Sequence, residues 1–231
     1  MLRALTASLP LRSSIAFTLH RMSSSSALSA SPTTLEFPSS PSDLSQAQTL
    51  LWVGRKPDLQ AAHDRETVVS PTIWKRMVEG STTHQEDLQF TVATLPETVS
   101  RHWHPQSPHK LSQKLGSSLT EGTTVARVWG IPDAAAAMTV AAAAARAVPV
   151  YSAQTTDKPK QRTLRLECYT AEGQLVHCPG MEAAAKGVRH ACRWMDLPPA
   201  VLTTTQFRSE VQAWAEKQTH GSYQEIVGPD L

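Results

Sequence analysis

The first thirty-five residues contain no acidic side chain, and that gap is informative. Before Glu36 the chain carries Arg3, Arg12 and Arg21 among many serines, the composition of a mitochondrial or chloroplast transit peptide. Residues 1–34 are therefore set aside as a leader. A disordered serine-rich tail, or initiation at Met22 with a cytoplasmic product, are the alternatives. Nowhere does an apolar run reach 18 residues, so no helical membrane span is expected. Lys/Arg clusters with interleaved aromatics are also missing, which removes the electrostatic footprint of a nucleic-acid binder. The chain has 22 Lys plus Arg against 20 Asp plus Glu; without the three leader arginines this is 19 against 20, so the body is close to neutral. Cysteine is scarce: Cys168, Cys178 and Cys192 form an odd set without CxxC spacing, which fits reduced thiols better than a disulfide framework.

What is present alternates between strand and helix patterns. Leu35 and Phe37 suggest a short strand. TLLWVGRK (49–56) is a compact apolar run ending near Gly54, the pattern of a buried strand. PTIWKRMVEG (71–80) puts Ile73 with Met77 and Trp74 with Val78 at helical spacing, opening on a proline and stopping at Gly80. DLQFTVATLP then alternates, with Leu88, Phe90 and Val92 on one face. Ser107-Pro108 reads as an N-cap with proline at the first helical position, ahead of a stripe of Leu111, Leu115 and Leu119. TVARVWG (124–130) predicts a strand that runs into Asp133, the N-cap of AAAAMTVAAAAARA. This alanine helix is apolar almost all round, apart from Thr139 and Arg146, so it should be sandwiched inside the protein. VPVYSAQ (148–154) and RTLRLECYT follow as strands, the latter with Leu164, Leu166 and Cys168 inward. The alternation predicts an α/β domain over residues 35–178.

From residue 179 the pattern changes. Met181, Ala184, Val188, Ala191 and Met195 recur at spacings of three and four, with Glu182, Lys186, Arg189 and Arg193 facing away. Asp196-Leu197-Pro198-Pro199 ends this helix, because proline clashes with the preceding turn. Thr203 with Gln206 offers a capping box for a second helix striped by Phe207, Val211 and Trp214, and SYQEIVGPDL reads as a short strand with a turn. Residues 179–231 thus read as a linker helix and the truncated start of another α/β domain.

This junction, with Ala191, Arg193, Asp196, Pro198 and Pro199, resembles the linker into the catalytic domain of the cytosol (leucyl) aminopeptidase family. The pieces LPETVSRHWHPQSPHKL, ARAVPVYSA and TLRLECY are similar to the N-terminal domain of its probable aminopeptidase-like branch. The resemblance implies a mixed sheet flanked by helices, macro-domain-like in fold, and a family of hexamers that remove N-terminal residues, leucine preferred. It also implies two divalent metals (Zn, Mn or Mg) held by aspartates, a glutamate and a lysine of the C-terminal domain. The family's N-T-D-A-E-G-R motif does not occur in this sequence. The chain alone is accordingly expected to be inactive, with no catalytic, cofactor-binding or metal residue of its own. It reads either as the N-terminal part of such an enzyme or as an inactive paralogue retained as a structural or regulatory subunit. Trp194 and Trp214, on the two junction helices, are expected to pack against a further domain or a neighbouring subunit.

Three short motifs carry residue types capable of chemistry. His102, His104 and His109 with Trp103 match no closed zinc spacing and lack an accompanying carboxylate cluster. His177-Cys178 with Cys192 could pair a thiol with an imidazole, but no third orienting group is evident. The macro-domain likeness raises nucleotide or ADP-ribose binding at WGIPDA, where Gly130 is the lone glycine and the Asp133 carboxylate would repel a phosphate at the helix N-terminus. The bland readings are preferred: an exposed polar loop for the histidines, a strand end with a small buried thiol for His177-Cys178, and a structural turn for WGIPDA.

Overall fold

The computed structural model describes residues 33–78, 82–85, 87–99, 105–148, 150, 161–218, 222–226 and 228. Its elements in chain order are β1 (Thr33–Glu36), β2 (Thr49–Arg55), α1 (Lys56–Glu66), α2 (Pro71–Val78), β3 (Thr82–Gln85), β4 (Leu88–Leu95) and α3 (Pro108–Ser118). Then come β5 (Gly122–Trp129), α4 (Ala134–Ala147), β6 (Arg162–Tyr169), β7 (Leu175–Val176), α5 (Gly180–Asp196) and α6 (Thr204–Ala215). The sheet runs β1-β6-β5-β2-β4-β3, with β7 added beside β6. Five strands are parallel, while β3 and β7 pair antiparallel with β4 and β6. This is the mixed α/β sheet expected.

Helices cover both faces of the sheet, which is why its central strands are apolar on both sides. In β2, Leu51 and Val53 face α3, α4 and α5, and they join Ala126, Val128, Leu164, Leu166 and Cys168 in one core. Leu50 and Trp52 face α1 and α2 in the other, with Phe90, Val125 and Trp129. Trp52 organises that second core: its ring meets Trp74, Phe90 and Trp129 edge-on at centroid distances of 5.9, 5.4 and 5.2 Å, the arrangement favoured by the aromatic quadrupole. The alanine helix α4 is sandwiched as expected, with Ala137, Val140, Ala141 and Ala144 fully buried. Its packing against α5 is close enough that a Cβ at Gly180 would lie 2.5 Å from the Met138 sulfur, so a side chain at the start of α5 would push the exposed Met138 side chain aside.

Several expectations are corrected. Helix α1 has no counterpart in the periodicity reading, because half of its buried face is polar: Asp58 and His63 accompany Leu59 and Ala62. Strand β3 consists of Thr, Thr, His and Gln, and β7 has only two residues; neither carries an apolar signal. Ser107 does not cap α3 through its side chain. Its backbone is left-handed at φ 45°, whereas a capping hydroxyl needs extended geometry to reach back. Thr203 accepts from the Gln206 N–H at 3.2 Å, but the Gln206 side chain turns to Glu210 at 3.4 Å instead of closing a capping box.

The stripe on α5 differs too. Met181 and Ala185 are buried with Val188 packed beside them, whereas Ala191 is exposed and Met195 is 83% exposed. Only the first half of α5 has α4 to lie against. Arg189 and Arg193, expected to face away, are half-buried and bonded. Residues 222–226 form no strand; Glu225 is tied to Arg208 on α6 at 2.9 Å. The leader up to residue 32, the strand read at VPVYSAQ beyond Val148 apart from Val150, and the stop at Gly80 fall outside the described residues.

Candidate functional site

Strand order decides where a crevice opens. From β2 the chain moves through α1, α2 and β3 to β4 on one side, returns through α3 to β5 on the other side, and continues through α4 to β6. Connections therefore leave β2 and β5 in opposite directions, and α/β sheets open a ligand crevice at such a switch point, beyond the carboxyl ends of the strands. Here that crevice has a volume of about 620 Å³ and is lined by Arg55, Asp58, Gly130, Asp133 and Glu172, among others.

The N-termini of α1 and α4 flank the crevice, and their unpaired N–H groups would ordinarily favour an anion. Each already faces a carboxylate of the chain. Asp133 accepts from the Ala136 N–H at 2.8 Å, the cap its sequence position predicts. Asp58, in the first turn of α1, pairs with the Arg55 guanidinium at 2.7 Å. Gly130 makes room for this pair: it sits at φ +80°, and a Cβ there would collide with the Asp58 carboxylate. At the rim, hydrogen bonding from the Thr170 side chain holds the Glu172 carboxyl below its ordinary value. Among the described lining residues one arginine stands against three carboxylates, an electronegative arrangement that is a poor receptor for a nucleotide phosphate. The glycine serves an internal ion pair, and the turn is structural.

The other motifs do not assemble into a site. His109 is exposed on α3, while His102, Trp103 and His104 lie outside the described residues. The Cys178 thiol donates to the Ala134 carbonyl at 3.8 Å, and His177 beside it is exposed. Cys168 is fully buried, and burial pushes its thiol up to about 12, far from the thiolate a nucleophile requires. Among the described residues no group of three or more His, Cys, Asp or Glu side chains converges. These residues do not fit a two-metal centre, which needs several hard oxygen ligands around ions about 3.5–4 Å apart.

Two features escaped the sequence reading. Arg127, Glu167 and Tyr169 form a buried charged network, joined from the surface by Glu66, under the loop that joins β1 to β2. At the junction, Glu210 of α6 receives the Arg193 fork and the Trp194 indole N–H at 2.9 Å, and Trp194 meets Phe207 edge-on at 5.1 Å. This clamp holds α6, which has no buried residue of its own. Phe207, Trp214 and Ile226 stay 42%, 48% and 56% exposed. Trp194 is thus spent within the junction, and Trp214 remains on the surface.

Residues 53–157 match the family model for M17 aminopeptidase N-terminal domain 2. Comparison with curated proteins gives no match. Among solved structures, an M17 aminopeptidase from Trypanosoma brucei superposes with a TM-score of 0.59 at 18% identity, over 81% of this chain and 41% of that one. The leucyl aminopeptidase of Leishmania major, in complex with actinonin, gives 0.61 at 19% identity over 81% and 40%. The Caenorhabditis elegans leucine aminopeptidase gives 0.55 at 16% identity over 79% and 40%. At these identities the likeness is one of fold, and the chain spans about two fifths of the length of each solved relative. Residues 53–157 are thus similar to the M17 aminopeptidase N-terminal domain, and the fold is that of the N-terminal part of the leucyl aminopeptidases.

Proposed function

We propose that this chain serves as the N-terminal, non-catalytic part of a leucyl aminopeptidase-like metallopeptidase. The observation that carries the reading is the match of residues 53–157 to the family's N-terminal domain, joined to a clamped helix pair whose outer side shows Phe207 and Trp214 to solvent. Release of N-terminal amino acids with two divalent metals would belong to a catalytic domain seated on that side. A hexameric assembly and import into mitochondria, suggested by the arginine- and serine-rich leader, complete the proposal. The purified chain tests it: supplied with Zn²⁺ or Mn²⁺, it should release no product from leucyl-p-nitroanilide. Chelator-sensitive turnover by the chain alone would overturn the reading.

The exposed face of α6 also favours a second reading, an inactive paralogue acting as a structural or regulatory subunit of a mitochondrial or aminopeptidase assembly. The intact mass of the protein captured from its source separates the two. A mass about twice 25.2 kDa, as a second domain requires, supports the first; a mass near or below 25.2 kDa, with a stoichiometric partner lost on Trp214→Ser substitution, supports the second.

A further inference from the structure

At the end of the sheet opposite β3, strand β1 pairs with β6 and ends the strand order. Beside it runs α5, and the two enclose a groove of about 740 Å³. Its floor is apolar, with Leu35, Phe37 and Ala185, and its α5 wall is basic, with Lys186, Arg189, His190 and Arg193 against Glu182. Arg193 is neutralised by Glu210. Arg189 has no carboxylate partner among the described residues: its guanidinium is half-buried and donates to the Thr33 backbone carbonyl at 3.0 Å. Burial pulls its pKa down, with no carboxylate among the described residues offsetting that cost. A partly desolvated cation without a counter-charge is unfavourable unless an anion completes it.

We infer that this groove is a docking site for an extended acidic peptide, which adds to the outer edge of β1 and sets its carboxylates against Arg189 and Lys186. Three features select this occupant together. An edge strand offers backbone groups to an incoming strand, the apolar floor takes alternate side chains of an extended segment, and the basic wall faces the others. A free phosphate would use the wall and leave both other features unused. The inference stands apart from the proposed aminopeptidase role and does not depend on it.

The test uses the full chain and a fluorescein-labelled octapeptide alternating glutamate and valine, followed by anisotropy at low salt. Saturable binding that weakens steeply with added NaCl is expected, and the matching lysine–valine peptide should not bind. Lys186→Glu, an exposed change that leaves the core untouched, should weaken binding at least tenfold, and Arg189→Gln likewise. Hydrogen exchange at residues 34–36 should slow on binding. Failure of the acidic peptide to bind, or equal affinity in the Lys186→Glu variant, would overturn the inference. So would binding without protection of β1, or complete displacement of the peptide by equimolar inorganic phosphate, which would reduce the site to a simple anion contact.

Discussion

Arg127 and Glu167 stand opposite each other on parallel neighbours β5 and β6, with the guanidinium Nε 3.0 Å from the carboxylate and Glu167 fully shielded from solvent. The same carboxylate accepts the Tyr169 hydroxyl at 2.8 Å and the Ser42 N–H, while Arg127 also reaches Glu66 at 2.9 Å. The network satisfies a backbone donor of the β1–β2 loop, so a loop can cover this part of the sheet where a helix would otherwise be needed. Removing one partner strands a buried charge. Arg127→Met should therefore cost about 3–5 kcal/mol in urea unfolding, and the double change Arg127→Met with Glu167→Leu should recover much of that loss. A double variant destabilised by the sum of the separate Arg127→Met and Glu167→Leu losses would show that the charges are not coupled.

Gly130 and Asp58 make a second coupled pair. Gly130→Ala meets two obstacles, the left-handed backbone at φ +80° and the Asp58 carboxylate beside the new Cβ. The first costs about 1–2 kcal/mol for a residue with a side chain; the second adds steric displacement of the Arg55–Asp58 pair. Unfolding of Gly130→Ala, Asp58→Ala and the double variant should be non-additive. The double variant should be more stable than the sum of the single losses, because removing the carboxylate relieves the clash and leaves the backbone cost. Strict additivity would place the clash elsewhere.

What was legible in the sequence follows from where the physics is local. Strands β2, β4, β5 and β6 and helices α2, α3 and α4 announce themselves because their buried residues are apolar and regularly spaced. Asp133 was readable as a cap because capping needs only its neighbours three positions on. Helix α1 was not, since Asp58 and His63 occupy its buried face. The Arg127–Glu167 pair was also hidden: the two residues are 40 positions apart, and only strand order and register bring them together. The crevice depends on the same strand order. On α5 the spacing predicts the helix but not its buried face, which runs through Met181 and Ala185, while Ala191 and Met195 lie beyond the end of that surface.

His63 should make stability depend on pH. Its ring is buried against Trp74 at 4.3 Å, and burial lowers its pKa from the ordinary 6.5, with the neighbouring Asp64 opposing in part. Below pH 6.5 the unfolded chain therefore binds the proton more readily than the folded one, so stability is full above that value and declines as pH falls. Replacing His63 with Phe keeps a ring on Trp74 and removes the titration. Urea midpoints measured between pH 7.5 and 5 should fall for the natural protein and flatten for His63→Phe; parallel curves would assign the pH dependence to other groups.

The Glu210 clamp titrates in a lower window. Hydrogen bonding to Arg193, helped by Trp194 and Gln206, brings the carboxyl down from 4.5 to about 2. A depressed carboxyl stabilises its contact above the ordinary value, and the contribution is lost as pH falls from 4.5 towards 2. Because α6 buries no residue of its own, opening the clamp should free this helix without unfolding the sheet. Trp194 reports on it, since its indole N–H is bonded to the carboxylate and its ring rests on Phe207. Acid titration should shift Trp194 fluorescence in that window, with hydrogen exchange speeding up over α6 while α4 and β5 stay protected. Glu210→Gln should produce the same released α6 at neutral pH. If the variant instead lowers the protection of α4 and β5 along with α6, the helix pair is an integral part of the sheet domain's stability and not an appendage held by one carboxylate.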